Sequence, residues 1–146
     1  MKKFLFTLMV LLILAACAPA AGPSTSGILL VTAGENQQSF TPNDLAGLPA
    51  TETSFNEVAY KGVTVSALLE AAGVDPGAVR AIKAVASDGY SVNYDPAQVL
   101  KETVIVAYAL ADGGSMSADD GEFRMVLPDE EGKLNVRMLV ELQVIQ

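Results

Sequence analysis

Apolar and polar positions change their period several times along the chain, and each change marks an element. Ile28 to Val31 is a short apolar run bounded by Gly27 and Gly34, which predicts a strand. Thr41-Pro42 supplies a capping hydroxyl and then a proline at the first helical position, so a short helix is expected over Asn43 to Ala46, ended by Pro49. Thr51 to Val58 alternates Thr and Phe with polar residues, as a strand does, and Lys61-Gly62 predicts a turn. Ser66 is the expected cap of a two-turn helix through Leu68, Leu69 and Ala72, with Gly73 as its left-handed end and Pro76 shortly beyond.

The second half is richer in strand signals. Ala81 to Ser87 reads as a strand, Asp88-Gly89 is a residue pair favoured in tight hairpins, and Tyr90, Val92 and Tyr94 alternate on one face of the returning strand. Asp95-Pro96 repeats the cap-then-proline device and opens a short helix through Leu100. Thr103 to Ala111 is almost wholly apolar and rich in β-branched residues, the pattern of a central strand covered on both faces, and Asp112-Gly113-Gly114 closes it. Phe123 to Leu127 and Val140 to Ile145 predict two further strands, separated by a turn at Pro128 to Gly132 and a helical segment over Val136 to Leu139. No internal repeat is visible. The fold class expected from this order is α+β, a mixed β-sheet with short helices.

Composition narrows the function. With 146 residues, 51% of them apolar, the chain suits one globular domain and is too hydrophobic for intrinsic disorder. There is no His, which removes the commonest general base, the commonest zinc ligand and every Ser-His or Cys-His nucleophile pair. A sequence pI near 4.3 without a basic patch argues against nucleic acid as a partner.

The amino terminus reads as an address. Lys2 and Lys3 precede an apolar stretch, Phe4 to Ala16, that is too short to span a bilayer and fits a secretory signal. Leu14-Ala15-Ala16-Cys17 resembles a bacterial lipobox. By that resemblance residues 1–16 are a lipoprotein signal peptide, and Cys17 carries a diacylglyceryl group and an amino-terminal acyl chain such as palmitate. The lone cysteine agrees, because an exported chain with one thiol has no partner for an internal disulfide. Residues 17–26 then form the lipidated Cys and a Pro-, Ala- and Ser-rich tether, and residues 27–146 form the domain. The expected location is the outer face of the plasma membrane or the outer membrane. Without Lys2 and Lys3, seven basic residues stand against 17 acidic ones, a net of −10, so attachment depends on the lipid and not on attraction to anionic headgroups.

The order of elements carries a resemblance. Phe40-Thr41-Pro42-Asn43-Asp44-Leu45, then Tyr60-Lys61-Gly62-Val63 leading into Leu68-Leu69-Glu70-Ala71-Ala72-Gly73-Val74, is similar to the molybdopterin-binding oxidoreductase domain of the sulfite oxidase family. Asp88-Gly89-Tyr90, Val104 to Leu110, Phe123 to Pro128, and Val136 to Leu139 with Leu142 and Val144 follow in that family's order, so the resemblance covers about residues 28 to 146. It implies a sulfite-oxidase-like scaffold and raises molybdopterin as a cofactor. In the family a Cys thiolate before the "Y-x-G-V" segment holds molybdenum, and Thr51 to Ala59 contains no Cys. Thr53 and Ser54 offer only oxygen, a poorer ligand for that metal. Basic residues to grip a phosphorylated pterin are scattered among 17 acids, so no cofactor is expected.

Four residues are candidates for ligand binding. Arg124 and Arg137 match family positions near the cleft, where an Arg fork suits a carboxylate, sulfate or phosphate, although a strand Arg paired with an acid fits the same pattern. Tyr90 and Tyr94, four apart and so on one face of a strand, suit a stacking platform or plain core cover. The acids at Asp112, Asp119, Asp120 and Glu122, and at Asp129 to Glu131, lack the spacing of an EF-hand and read as solvated turns. The sequence therefore points to a lipid-anchored extracytoplasmic binding or accessory module with a small-molecule or protein partner. The alternative is a molybdopterin-dependent oxidoreductase or redox-partner subunit, whose only warrant is the family resemblance.

Overall fold

The computed structural model describes residues 27–146, and the expected signal peptide, Cys17 and tether lie outside them. Two sheets carry the domain. The first has five strands: β1 (Leu29–Ala33), β2 (Asn36–Phe40), β5 (Ala81–Ala86), β6 (Ser91–Tyr94) and β9 (Leu139–Ile145), in the order β2-β1-β9-β5-β6. The second has four: β3 (Thr51–Phe55), β4 (Val58–Thr64), β7 (Ile105–Leu110) and β8 (Arg124–Val126), in the order β3-β4-β7-β8. β1 and β9 pair in parallel and the other neighbours are antiparallel, so the sheet is mixed, as expected.

Three short helices connect the strands. In α1 (Pro42–Ala46) the Thr41 hydroxyl accepts from the Asp44 amide while the Asp44 carboxylate accepts from the Thr41 amide, a complete capping box. α2 (Val65–Ala71) starts two residues before the expected place, because Thr64 supplies the capping oxygen to the Ala67 amide and Ser66 is already helical. Gly73 ends that helix with φ +76°, the left-handed backbone expected of it. α3 (Pro96–Val99) is capped by Asp95.

Period-two alternation sorts the second sheet into two faces. Val63, Val106 and Met125 turn inward to the main core, where they meet Leu29, Val31, Ile82 and Leu142 of the first sheet and Leu45, Leu68 and Leu69 of the helices. Tyr60, Ile105, Ala107 and Val126 turn outward into a second, smaller cluster covered by Phe55, Leu110 and Met116. β7 is thus an interior strand with apolar cover on both sides, as the Thr103 to Ala111 run predicts.

Three expectations need correction. Lys61-Gly62 is not a turn. β4 runs straight through it with a bulge against β7, and the chain reverses earlier, at Asn56-Glu57, both with positive φ. Asn36–Phe40 is a strand that the pattern did not predict, because this edge strand is mostly exposed and polar and is held by its pairing with β1. Val136 to Leu139 is not helical. Val136 accepts from the Met125 amide, the Met138 amide donates to Asp120 and the Leu139 amide to Phe123, so the groups that a helix would use are committed to the neighbouring chain.

Candidate functional site

The outward face of the second sheet ends in a buried polar cluster. β8 begins with Arg124, in register with Ala107, so its side chain shares the face of Tyr60 and Val126 instead of entering the main core. Arg124 is only 5% exposed, and Asp120, four residues earlier, is 7% exposed. Arg124 Nη1 donates to Asp120 Oδ1 at 2.5 Å and to the Tyr60 hydroxyl at 2.8 Å, and that hydroxyl donates to Asp120 Oδ2 at 3.3 Å. The guanidinium also lies 4.7 Å from the Tyr60 ring centroid and 5.9 Å from that of Phe55. Burial pushes the Tyr60 phenol above its usual pKa, with the nearby Arg124 charge acting in the opposite direction.

A cavity of about 310 Å³ opens beside this cluster. Phe55 and Val58 line it from the β3–β4 hairpin, Arg124 and Asp120 form its floor, and Arg137 lines it from the segment that returns past β8. That segment is held by Asn135, which is buried and fully occupied. Its Oδ1 accepts from the Leu127 amide, and its Nδ2 donates to the carbonyls of Leu127 and Glu131. Arg137 is exposed and makes no ion pair or side-chain hydrogen bond among the described residues. The structure therefore brings Arg124 and Arg137 to one cavity, with Arg124 committed to an acid and Arg137 uncommitted.

Of the two readings of Tyr90 and Tyr94, stacking platform or core cover, the structure fits cover for Tyr94. Tyr94 is 1% exposed in the main core and its hydroxyl donates to the Leu134 carbonyl, while the Tyr90 hydroxyl donates to the Lys133 carbonyl at 2.6 Å. Both clamp the turn Gly132–Leu134, and burial raises the Tyr94 phenol far above its usual pKa. Tyr90, half exposed, borders a separate depression that also reaches Arg137. Asp120, read from sequence as part of a solvated turn, is instead buried because it pairs with Arg124, and Tyr60, which completes the cluster, was not singled out. Tyr60 lies 64 positions from Arg124, and no local spacing links them. Among the described residues no three of His, Cys, Asp and Glu are grouped so as to hold a metal ion.

The residues present are a poor match for a molybdenum cofactor. The hairpin and its surroundings offer no thiolate, because the chain's single Cys is Cys17 and none lies among residues 27–146. The only buried cation of the cavity already has its carboxylate partner, and a cofactor phosphate would have to displace it.

Comparison with known proteins agrees with the architecture. A family model described as the oxidoreductase molybdopterin binding domain matches residues 21–146. Among solved structures, the crystal structure of the sulfane dehydrogenase SoxCD from Paracoccus pantotrophus superposes with a TM-score of 0.70 at 22% sequence identity, covering 82% of this chain. The match takes in 38% of that protein's chain, so the two share this fold over a minor part of the larger molecule. No curated protein matches the chain.

Proposed function

From the premise that the chain belongs to the oxidoreductase molybdopterin-binding domain family, we propose that it is a binding or accessory module that keeps the family scaffold and works without molybdenum. One observation carries this reading. Where a molybdenum site needs sulfur and uncommitted cations, the cleft supplies oxygen donors and an Arg124 guanidinium held by Asp120 and Tyr60. The uncommitted Arg137 and the 310 Å³ cavity support a role in holding a small molecule. With Cys17 lipidated, the module would be anchored to the outer face of the plasma membrane or to the outer membrane, with residues 18–26 as its tether.

A second reading, a molybdopterin-dependent oxidoreductase or redox-partner subunit, draws support from the family match. Metal analysis and mass spectrometry of small molecules co-purifying with the full chain from its native membrane separate the two. The first reading expects neither molybdenum nor pterin. Stoichiometric amounts of either would establish the second.

A further inference from the structure

We infer that the cavity between the β3–β4 hairpin and Arg137 takes a singly charged carboxylate with an apolar body, in preference to a doubly charged oxyanion. This deepens, and rests on, the reading of the domain as a ligand-holding module. The charge balance sets the ligand's charge. Two arginines, Arg124 and Arg137, and one carboxylate, Asp120, line the cavity, so its charged side chains sum to one positive charge. A ligand with one negative charge neutralises that excess. A second negative charge would meet Asp120 without compensation, in a chain whose surroundings are acidic.

The donors set the ligand's head. Arg124 Nη1 is spent on Asp120 and Tyr60, and its Nε donates weakly to the Met125 carbonyl at 3.4 Å. Nη2 has no partner among the described residues. No fully buried side-chain nitrogen or oxygen there lacks one, so Nη2 keeps some solvent access, and Arg124 is among the residues that line this cavity. Arg137 is among the residues that line the same cavity, also without an ion-pair or side-chain hydrogen-bond partner among the described residues. A carboxylate between them offers one oxygen to each, the charge-assisted pairing that guanidinium favours.

The remaining lining sets the ligand's body. Phe55 and Val58 contribute the apolar side chains of the lining, and Val58 is 39% exposed. Asn135 has both ends of its side chain occupied, which leaves Asn56 of the hairpin turn as the one lining amide without a side-chain partner among the described residues. The volume is at the low end of small-molecule sites and suits a compact aromatic or short aliphatic acid.

Benzoate is a suitable probe, with inorganic sulfate as the dianion and benzyl alcohol as the neutral analogue, each titrated calorimetrically into the full chain in detergent at pH 7 and constant ionic strength. Benzoate should bind at least about tenfold more tightly than either comparison compound. Because Arg137 is exposed, R137Q should fold with an unchanged unfolding midpoint and weaken benzoate about tenfold or more, and R137K should restore part of the loss. Sulfate or benzyl alcohol binding as tightly as benzoate, no benzoate binding by the wild type, or unchanged affinity in R137Q would each overturn the inference. Metal analysis on the same sample keeps the two levels apart. Absent molybdenum with absent benzoate binding removes only the carboxylate preference, whereas bound molybdenum removes the module reading whatever benzoate does.

Discussion

Gly62 lies so close to Val106 that a β-carbon on it would stand 2.1 Å from the Val106 carbonyl oxygen and 2.7 Å from the Ala107 α-carbon. The bulge in β4 is what brings the two backbones together, and only a residue without a side chain permits it. The obstacle is backbone of an interior strand, which cannot swing aside. Gly62→Ala is therefore expected to cost roughly 3 kcal/mol or more, or to prevent folding, as read by chemical denaturation. An unchanged midpoint would mean that the sheet opens at the bulge without cost.

The buried Arg124–Asp120 pair predicts an asymmetric mutational response. Asp120→Asn leaves a guanidinium at 6% side-chain exposure without its counter-charge, and the loss should be about 3 kcal/mol. Replacing both residues, Asp120→Asn with Arg124→Met, should be less damaging than the sum of the two single changes, because no lone charge remains. A double-mutant cycle measures that coupling. Strict additivity would show that the two side chains act independently.

Acid should weaken the first helix cap. The Asp44 carboxylate accepts from the Thr41 amide and hydroxyl, each at 2.7 Å, and the amide bond is the main reason its pKa lies below the ordinary 3.8. A carboxylate with a depressed folded pKa contributes stability that is complete above its unfolded pKa and lost as pH falls through the folded one. Wild type should therefore exceed Asp44→Asn in stability at neutral pH, and the gap should narrow below about pH 4, as followed by denaturation midpoints across pH. A constant gap would assign the cap's contribution to the Thr41 hydroxyl. That hydroxyl also accepts from the Asp44 amide at 3.2 Å, and Thr41→Ala should cost about 1 kcal/mol at neutral pH.

Cys17→Ser should abolish labelling by radioactive fatty acid and leave a slower-migrating precursor. Labelling that persists in the variant would place any lipid elsewhere on the chain and remove the proposed anchor.

What could be read from sequence was local chemistry with a fixed spacing. The Thr41-Pro42 and Asp95-Pro96 caps, the left-handed Gly73, and the Thr103 to Ala111 strand follow from groups within a few residues of one another. What failed depended on distant partners. Asn36–Phe40 has no apolar alternation and becomes a strand only because β1 lies beside it. Lys61-Gly62 has turn-like chemistry, but its glycine is required by Val106, which lies 44 positions away in the chain. The site divides in the same way. Arg124 and Arg137 were visible as family positions and do share a cavity, and pairing with an acid was the favoured reading of Arg124, whereas its contact with Tyr60, 64 positions away, had no signature in spacing.

The parallel pairing of β1 with β9 joins Leu30 to Glu141, nearly the two extremes of the domain. β9 sits at the centre of the five-stranded sheet, between β1 and β5, so the sheet stays in two halves until the last segment of the chain arrives. A polypeptide threaded amino end first through a narrow channel cannot complete this sheet midway, since its keystone emerges last. Closure by such long-range contacts is also slow. For a chain exported as proposed, this topology would keep the domain unfinished until β9 has crossed.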